Sequence, residues 1–154
     1  MSDPFRLRDA LARAGGESSD FDLNPALQLP PDRVLCPAAV LVAVWGDRLI
    51  LTKRASHLKH HPGQIAFPGG KLDPTDASLE AAALREAREE IGLPETLVEI
   101  WGRLPPHETV TGFTVTPNSC PRDRRFHASA RGGGGGRGFH RSAGACLGPG
   151  QLWD

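Results

Sequence analysis

The chain lacks any long hydrophobic run. Its longest apolar stretch, Ala38 to Trp45, is far short of the roughly 20 residues that a membrane-crossing helix needs. The first residues hold no apolar segment of the signal-peptide kind. A cytoplasmic location without a membrane partner is therefore expected. Cysteine is scarce: Cys36, Cys120 and Cys146 are odd in number and show no metal-ligand spacing. That argues against a disulfide framework and suits free thiols in a reducing compartment. Neither charge is in excess, since 18 Lys+Arg balance 18 Asp+Glu. The balance is local nowhere, however. Residues 1–118 carry 12 basic and 16 acidic side chains, and residues 119–154 carry 6 basic and 2 acidic ones.

What is present suits one domain of ordinary globular composition, with 154 residues and 39% hydrophobic content. Pro4 to Ala14 reads as a short helix stopped by Gly15-Gly16. Residues 17–34 are polar and proline-rich, which predicts a surface loop. Ala38 to Trp45 reads as a buried strand, and Gly46-Asp47 as a turn into a paired strand over Arg48 to Thr52. Gln64 to Phe67 reads as a short strand entering the bend Pro68-Gly69-Gly70. Ser78 to Ile91 predicts a helix capped by Ser78, ended by Gly92 and striped by Leu84, Ala87 and Ile91. Leu97 to Leu104 and Thr109 to Val115 alternate like strands. The order is β-rich with an interposed helix, a mixed α/β or α+β domain.

The helix carries the chemistry. Positions 86, 89 and 90 are three and four residues apart, so Glu86, Glu89 and Glu90 share one face. Adjacent carboxylates repel, and a hard divalent cation with oxygen ligands removes that cost. A Glu-rich helix by itself is more often a solvated face. Here it follows the Gly69-Gly70 bend, which lets backbone approach a ligand, and Arg85 stands ready to orient a glutamate through a bidentate pair.

The run Gly70 to Leu93 resembles the Nudix box, G-x5-E-x7-R-E-U-x-E-E-x-G-U with U aliphatic. Arg85 through Leu93 match, with Ala87 at an aliphatic position. The first half departs: Asp76 replaces Glu, and eight residues rather than seven separate it from Arg85. Leu51 to Gly70, with Lys59 where Arg is usual, resembles a second signature, that of the coenzyme A pyrophosphatase branch of the family. That branch carries a box of the same spacing, and Thr111 to Pro117 continues the likeness. The resemblance covers residues 35–117. It implies a Nudix-type α/β/α sandwich with a mixed sheet, and hydrolysis of a diphosphate bond. The substrate implied is coenzyme A, cleaved to 3′,5′-ADP and 4′-phosphopantetheine. Glu86, Glu89 and Glu90 are the implied ligands of Mg²⁺ or Mn²⁺, and Arg85 with Glu89 and Glu90 the implied catalytic set. Arg54, Lys59, Gly69 and Gly70 are the candidates for substrate binding. His57, His60 and His61 form a cluster of the kind more often solvated, and unsuited to hard Mg²⁺. Two alternatives stand beside this reading: hydrolysis of another nucleoside diphosphate derivative such as ADP-ribose, or an inactive, binding-only remnant.

After Pro117 the composition changes abruptly. Nine of 18 glycines fall in the last 36 residues, five of them consecutive from Gly132 to Gly136. No hydrophobic period survives, so residues 119–154 are expected to be disordered, beyond an N-terminal helix and loop (1–34) and an incomplete domain (35–118). Family members continue with a strand, then a segment like E-V-A-E-V-F-x-V-P-L, then a closing helix, and the C-terminal strand and helix are expected to be missing here. Shifted by one nucleotide, Gly136 to Ala143 admits Ala-Glu-Val-Phe-Thr-Val-Pro-Leu, under freely chosen codons. A lost reading frame after Pro117 is the expectation; a genuine Gly/Arg tail is the alternative. An RNA-binding tail is weaker, because aromatic residues are not repeatedly interleaved with the arginines. No nucleic-acid partner is expected. Loss of the last elements would bare a sheet face and an edge, so poor folding is expected.

Overall fold

The structure, a computed structural model, describes residues 4–22, 24, 26, 27, 32–45, 48–54, 63–122 and 142–147. In chain order the elements are α1 (Pro4–Ala12), β1 (Ser18–Ser19), β2 (Cys36–Trp45), β3 (Arg48–Arg54), β4 (Ile65–Ala66), β5 (Gly69–Lys71), α2 (Leu79–Ile91), β6 (Gly102–Arg103), β7 (His107–Glu108), β8 (Phe113–Arg122) and β9 (Ser142–Leu147). Among the described residues the strands form one mixed sheet in the order β1-β7-β8-β2-β3-β4. β5 is added on β2, β6 on β8 and β9 on β3.

β2 is the axis of the sheet, with Ala39, Leu41 and Ala43 buried on one face and Val40, Val42 and Val44 half-buried on the other. It pairs in parallel with β8 from Cys36↔Phe113 to Trp45↔Arg122. Its other edge is shared. β5 takes the start, with Ala39 opposite Gly70, and β3 takes the hairpin end, with Val44 opposite Leu49. Alternation then sorts the side chains. Ala39, Leu41 and Ala43 are wholly buried with Cys120 of β8 and Ile50 of β3 against Ala82, Ala83, Ala87 and Ile91 of α2. The small side chains on both sides let the helix approach the sheet closely.

α2 forms where it was predicted. Ser78 Oγ accepts the Ala81 N–H at 3.2 Å, and Gly92 closes the helix at φ 69°, where its N–H reaches Arg88 O and Leu93 N–H reaches Ala87 O. The buried stripe differs from the expected one: it runs through Ala82, Ala83, Glu86, Ala87 and Ile91, while Leu84 is half-buried at the rim of the core. The 97–104 segment also differs. Glu95–Leu97 tightens into a 3₁₀ turn, and only Gly102–Arg103 is strand, because only there does the chain lie along β8. In the supposed loop 17–34, Ser18–Ser19 pair in parallel with β7.

Of residues 119–154, expected to be disordered, 119–122 and 142–147 are described. β8 continues through Ser119 to Arg122, and Ser142–Leu147, assigned by composition to a disordered tail, runs antiparallel to β3 from Arg54↔Ser142 to Leu49↔Leu147. The edge of β3 supplies backbone donors and acceptors, and a small, uncharged segment pairs with them without needing a hydrophobic period. The turn at Gly46-Asp47 lies outside the described residues.

Candidate active site

β5 and the first half of α2 build the site. Two backbone groups on the outer edge of β5 are met by α2 side chains. The Gly69 N–H donates to Glu90 Oε2 at 3.1 Å, and Lys71 O accepts from Arg85 Nη2 at 3.1 Å. Helix and bend are thus joined by the charged residues of the signature. Both glycines are required by space. A Cβ on Gly69 would overlap the Ala39 carbonyl of β2, and one on Gly70 would overlap the Glu86 carboxylate.

Arg85 is the hub. Its Nε and Nη2 donate to Asp76 Oδ1 and Oδ2 at 3.0 and 2.9 Å, a bidentate pair, and its Nη1 donates to Glu86 Oε1 at 3.0 Å. Glu89 stands 3.6 Å from Nη1, and Asp73 stands 3.6 Å from Nη2. The hydrogen bonds from Arg85 hold the Asp76 carboxyl below the usual carboxylate range, and the same pair raises the guanidinium further above its own. Glu86 is 4% exposed. Burial pushes its carboxyl up, against the opposing pull of Arg85.

Of the residues predicted from sequence, the structure brings together Arg85, Glu86, Glu89, Gly69, Gly70 and Glu90. Arg54 ends β3, but its side chain, like the whole of Lys59, His57, His60 and His61, lies outside the described residues. Among the described residues no three acidic, histidine or cysteine groups converge as ligands. The reason is local: Arg85 stands beside Glu86 and Glu89, while Glu90 turns to the Gly69 N–H. The donor set nonetheless fits a hard divalent cation. It offers carboxylate oxygens only, on adjacent turns of one helix. Asp76 was missed as a site residue. Its signal was present in the sequence, since it occupies the first acidic place of the box.

The site is thus a glycine bend on a mixed sheet, tied by charged side chains to a carboxylate-bearing helix. Residues 35–135 match the NUDIX domain, and the chain belongs to that family. It is 63% identical over 83 residues to a Nudix hydrolase NudL of Enterobacter sp. (strain 638), covering 53% of this chain and 43% of that protein. A NudL of Cronobacter sakazakii is 56% identical over 97 residues, 60% of this chain and 50% of the relative. The chain therefore spans about half the length of the curated relatives it matches. Among solved structures, a NUDIX hydrolase from Nitrosomonas europaea shares the fold at TM-score 0.59 and 17% identity, over 83% of this chain and 65% of that one. A C. elegans Ap4A hydrolase does so at TM-score 0.54 and 17% identity, over 72% and 79%.

Proposed function

We propose that the chain carries a pyrophosphohydrolase site that cleaves a diphosphate bond with Mg²⁺ or Mn²⁺, and that its substrate is coenzyme A or a derivative of it. The observation that carries the reaction class is the joining of Glu86, Glu89 and Glu90 on α2 to the Gly69-Gly70 bend through Arg85 and Glu90. A divalent cation bound there neutralises diphosphate charge and lowers the pKa of the attacking water. The chain's own part is to hold ligands and a base. Arg85 orients Glu86, the Gly69 N–H orients Glu90, and Glu89, 43% exposed on its side chain, is open to an incoming substrate. One of the paired glutamates, Glu89 or Glu90, accepts the water's proton. The coenzyme A assignment rests on the run Leu51 to Gly70 and on Thr111 to Pro117.

The test is a panel of coenzyme A, ADP-ribose, a dinucleoside polyphosphate and an oxidised nucleotide, each with Mg²⁺ or Mn²⁺. Preferred release of 3′,5′-ADP and 4′-phosphopantetheine supports the reading. Preference for ADP-ribose moves the substrate assignment. Glu90→Gln should lower turnover by about 100-fold or more. Absence of turnover with every member, unchanged in that variant, would leave a binding-only protein.

A second reading concerns the chain's competence, and one observation favours it. Asn118 and Ser119 are 0% and 1% exposed inside the central strand β8. Asn118 Nδ2 reaches the Thr116 carbonyl at 3.1 Å, but Asn118 Oδ1 and Ser119 Oγ are buried without a hydrogen-bond partner among the described residues. Each such atom costs about 1–3 kcal/mol. These residues follow directly on Pro117, where the likeness of Thr111 to Pro117 to the coenzyme A pyrophosphatase branch ends, although the match to the NUDIX domain runs to residue 135. On this reading the coding frame departs there, and the chain is a weakened form of an active hydrolase. Independent resequencing from the codon of Thr109 decides it: a single-base insertion or deletion near Pro117 supports the reading, and the printed frame excludes it.

A further inference from the structure

At the β1 end of the sheet, three side chains with no part in the diphosphate site meet at one histidine. β1 runs parallel to β7 with Ser18 opposite His107. Asp20 follows β1 directly, so alternation turns it to the same side as Ser18. Backbone bonds fix the frame. The Ser18 N–H donates to Pro106 O at 3.3 Å, and the Asp20 N–H donates to Glu108 O at 2.9 Å. Within that frame Ser18 Oγ lies 2.8 Å from His107 Nδ1, and His107 Nε2 lies 2.9 Å from Asp20 Oδ1. The second carboxylate oxygen of Asp20 accepts the Val110 N–H at 2.9 Å. Ser19 is engaged elsewhere, its Oγ accepting the Phe21 N–H at 3.2 Å.

The proton positions follow from the acid. The Val110 hydrogen bond, aided by His107, keeps Asp20 ionised, and an ionised carboxylate can only accept. In the neutral ring His107 Nε2 therefore carries the proton, and Nδ1 turns its lone pair on the Ser18 hydroxyl. Ser18 is exposed, so a reagent can reach its oxygen. A hydroxyl, a base within hydrogen-bond reach and a third group that orients the base are what activates a serine. Such a set is recognised by geometry and roles rather than by place in the sequence. We propose that Ser18 is a nucleophilic serine that takes an acyl group from an activated ester, with His107 as its base and Asp20 as the residue that positions that base. Ser18 Oγ bonds to the acyl carbon, His107 Nδ1 receives the hydroxyl proton, and the bond from the acyl carbon to the leaving oxygen breaks. The imidazolium passes the proton to the departing oxygen, which leaves an acylated Ser18 and a free alcohol or phenol. The step uses none of the α2 carboxylates and stands apart from the hydrolase reading.

The experiment treats the full chain with p-nitrophenyl acetate in the presence of EDTA. Acetyl groups are located over time by peptide mass spectrometry, so that lysine and cysteine acetylation is read separately from that of Ser18. Ser18 should be acetylated about 100-fold faster in the native chain than in the same chain unfolded in urea, the lower end of what a positioned base supplies. His107→Gln can still hydrogen-bond to Ser18 and Asp20 but is no base, and it should bring Ser18 down to the unfolded rate. Asp20→Asn offers its amide N–H to Nε2, which moves the ring proton to Nδ1, and it should slow Ser18 about 100-fold too. Circular dichroism follows the fold of both variants. A native Ser18 rate no higher than the unfolded one overturns the proposal. An unchanged Ser18 rate in a folded His107→Gln or Asp20→Asn variant also overturns it, and leaves a set of hydrogen bonds that only holds β1 in place. Where one variant does not fold, the other decides. Where neither folds, the native-to-unfolded ratio of the unaltered chain decides by itself.

Discussion

Gly69 and Gly70 are neighbours in sequence and differ in what they protect. The space beside Gly69 is filled by the backbone of β2, which has nowhere to go. Gly69→Ala should therefore cost stability, about 2–3 kcal/mol by urea unfolding, as overpacking against a fixed wall does. The space beside Gly70 is filled by the Glu86 carboxylate, the end of a side chain. Gly70→Ala should displace that carboxylate and cut Mn²⁺ affinity, with a smaller loss of stability of about 1 kcal/mol. A Gly-Gly pair before an acidic helix was legible as a tight bend, but the sequence did not reveal which glycine faces which wall. Asp76 makes the same point. Its departure from the family pattern was legible, and its bidentate pairing with Arg85 was not, because the turn that delivers it exists only in three dimensions.

At the level of elements, α2 was the most legible part of the chain. Ser78, the alanine run and Gly92 are local signals, and each does locally what its chemistry dictates. Ser78→Ala should cost about 1 kcal/mol, measured by denaturant unfolding, through loss of the cap. β1 was illegible, since two serines in a polar stretch carry no periodicity. It is held by a remote clasp: Ser18 Oγ lies 2.8 Å from His107 Nδ1, His107 Nε2 lies 2.9 Å from Asp20 Oδ1, and Val110 N–H donates to Asp20 Oδ2 at 2.9 Å. The Val110 hydrogen bond, aided by His107, holds the Asp20 carboxyl below its ordinary value. A depressed carboxylate contributes stability above the ordinary carboxylate range, and that contribution is lost as pH falls through the folded-state value. The protection of the amides of residues 18–22, taken relative to their intrinsic exchange rates, should therefore fall on acidification below about pH 4, and Asp20→Asn should remove that pH dependence.

For the whole molecule, the decisive contacts are long-range. The β2–β8 pair joins residues 36–45 to residues 113–122 in parallel, and it carries order beyond the point where composition predicted its loss. It also buries two polar side chains where the axis of the sheet calls for apolar ones. Ser119→Ala removes an unpartnered hydroxyl at nearly constant volume, and should raise stability by about 1 kcal/mol in urea unfolding. A loss of similar size would instead mean that the hydroxyl has found a partner in solution. The sequence by itself determined the apolar axis strand, the capped helix and the three carboxylates on one helical face, because each follows from nearest neighbours along the chain. Only the tertiary structure decided that β1 meets β7, that Ser142–Leu147 runs along β3, and that Arg85 is held by Asp76. Backbone pairing and charge commitment depend on which distant groups meet, and local periodicity carries no record of that.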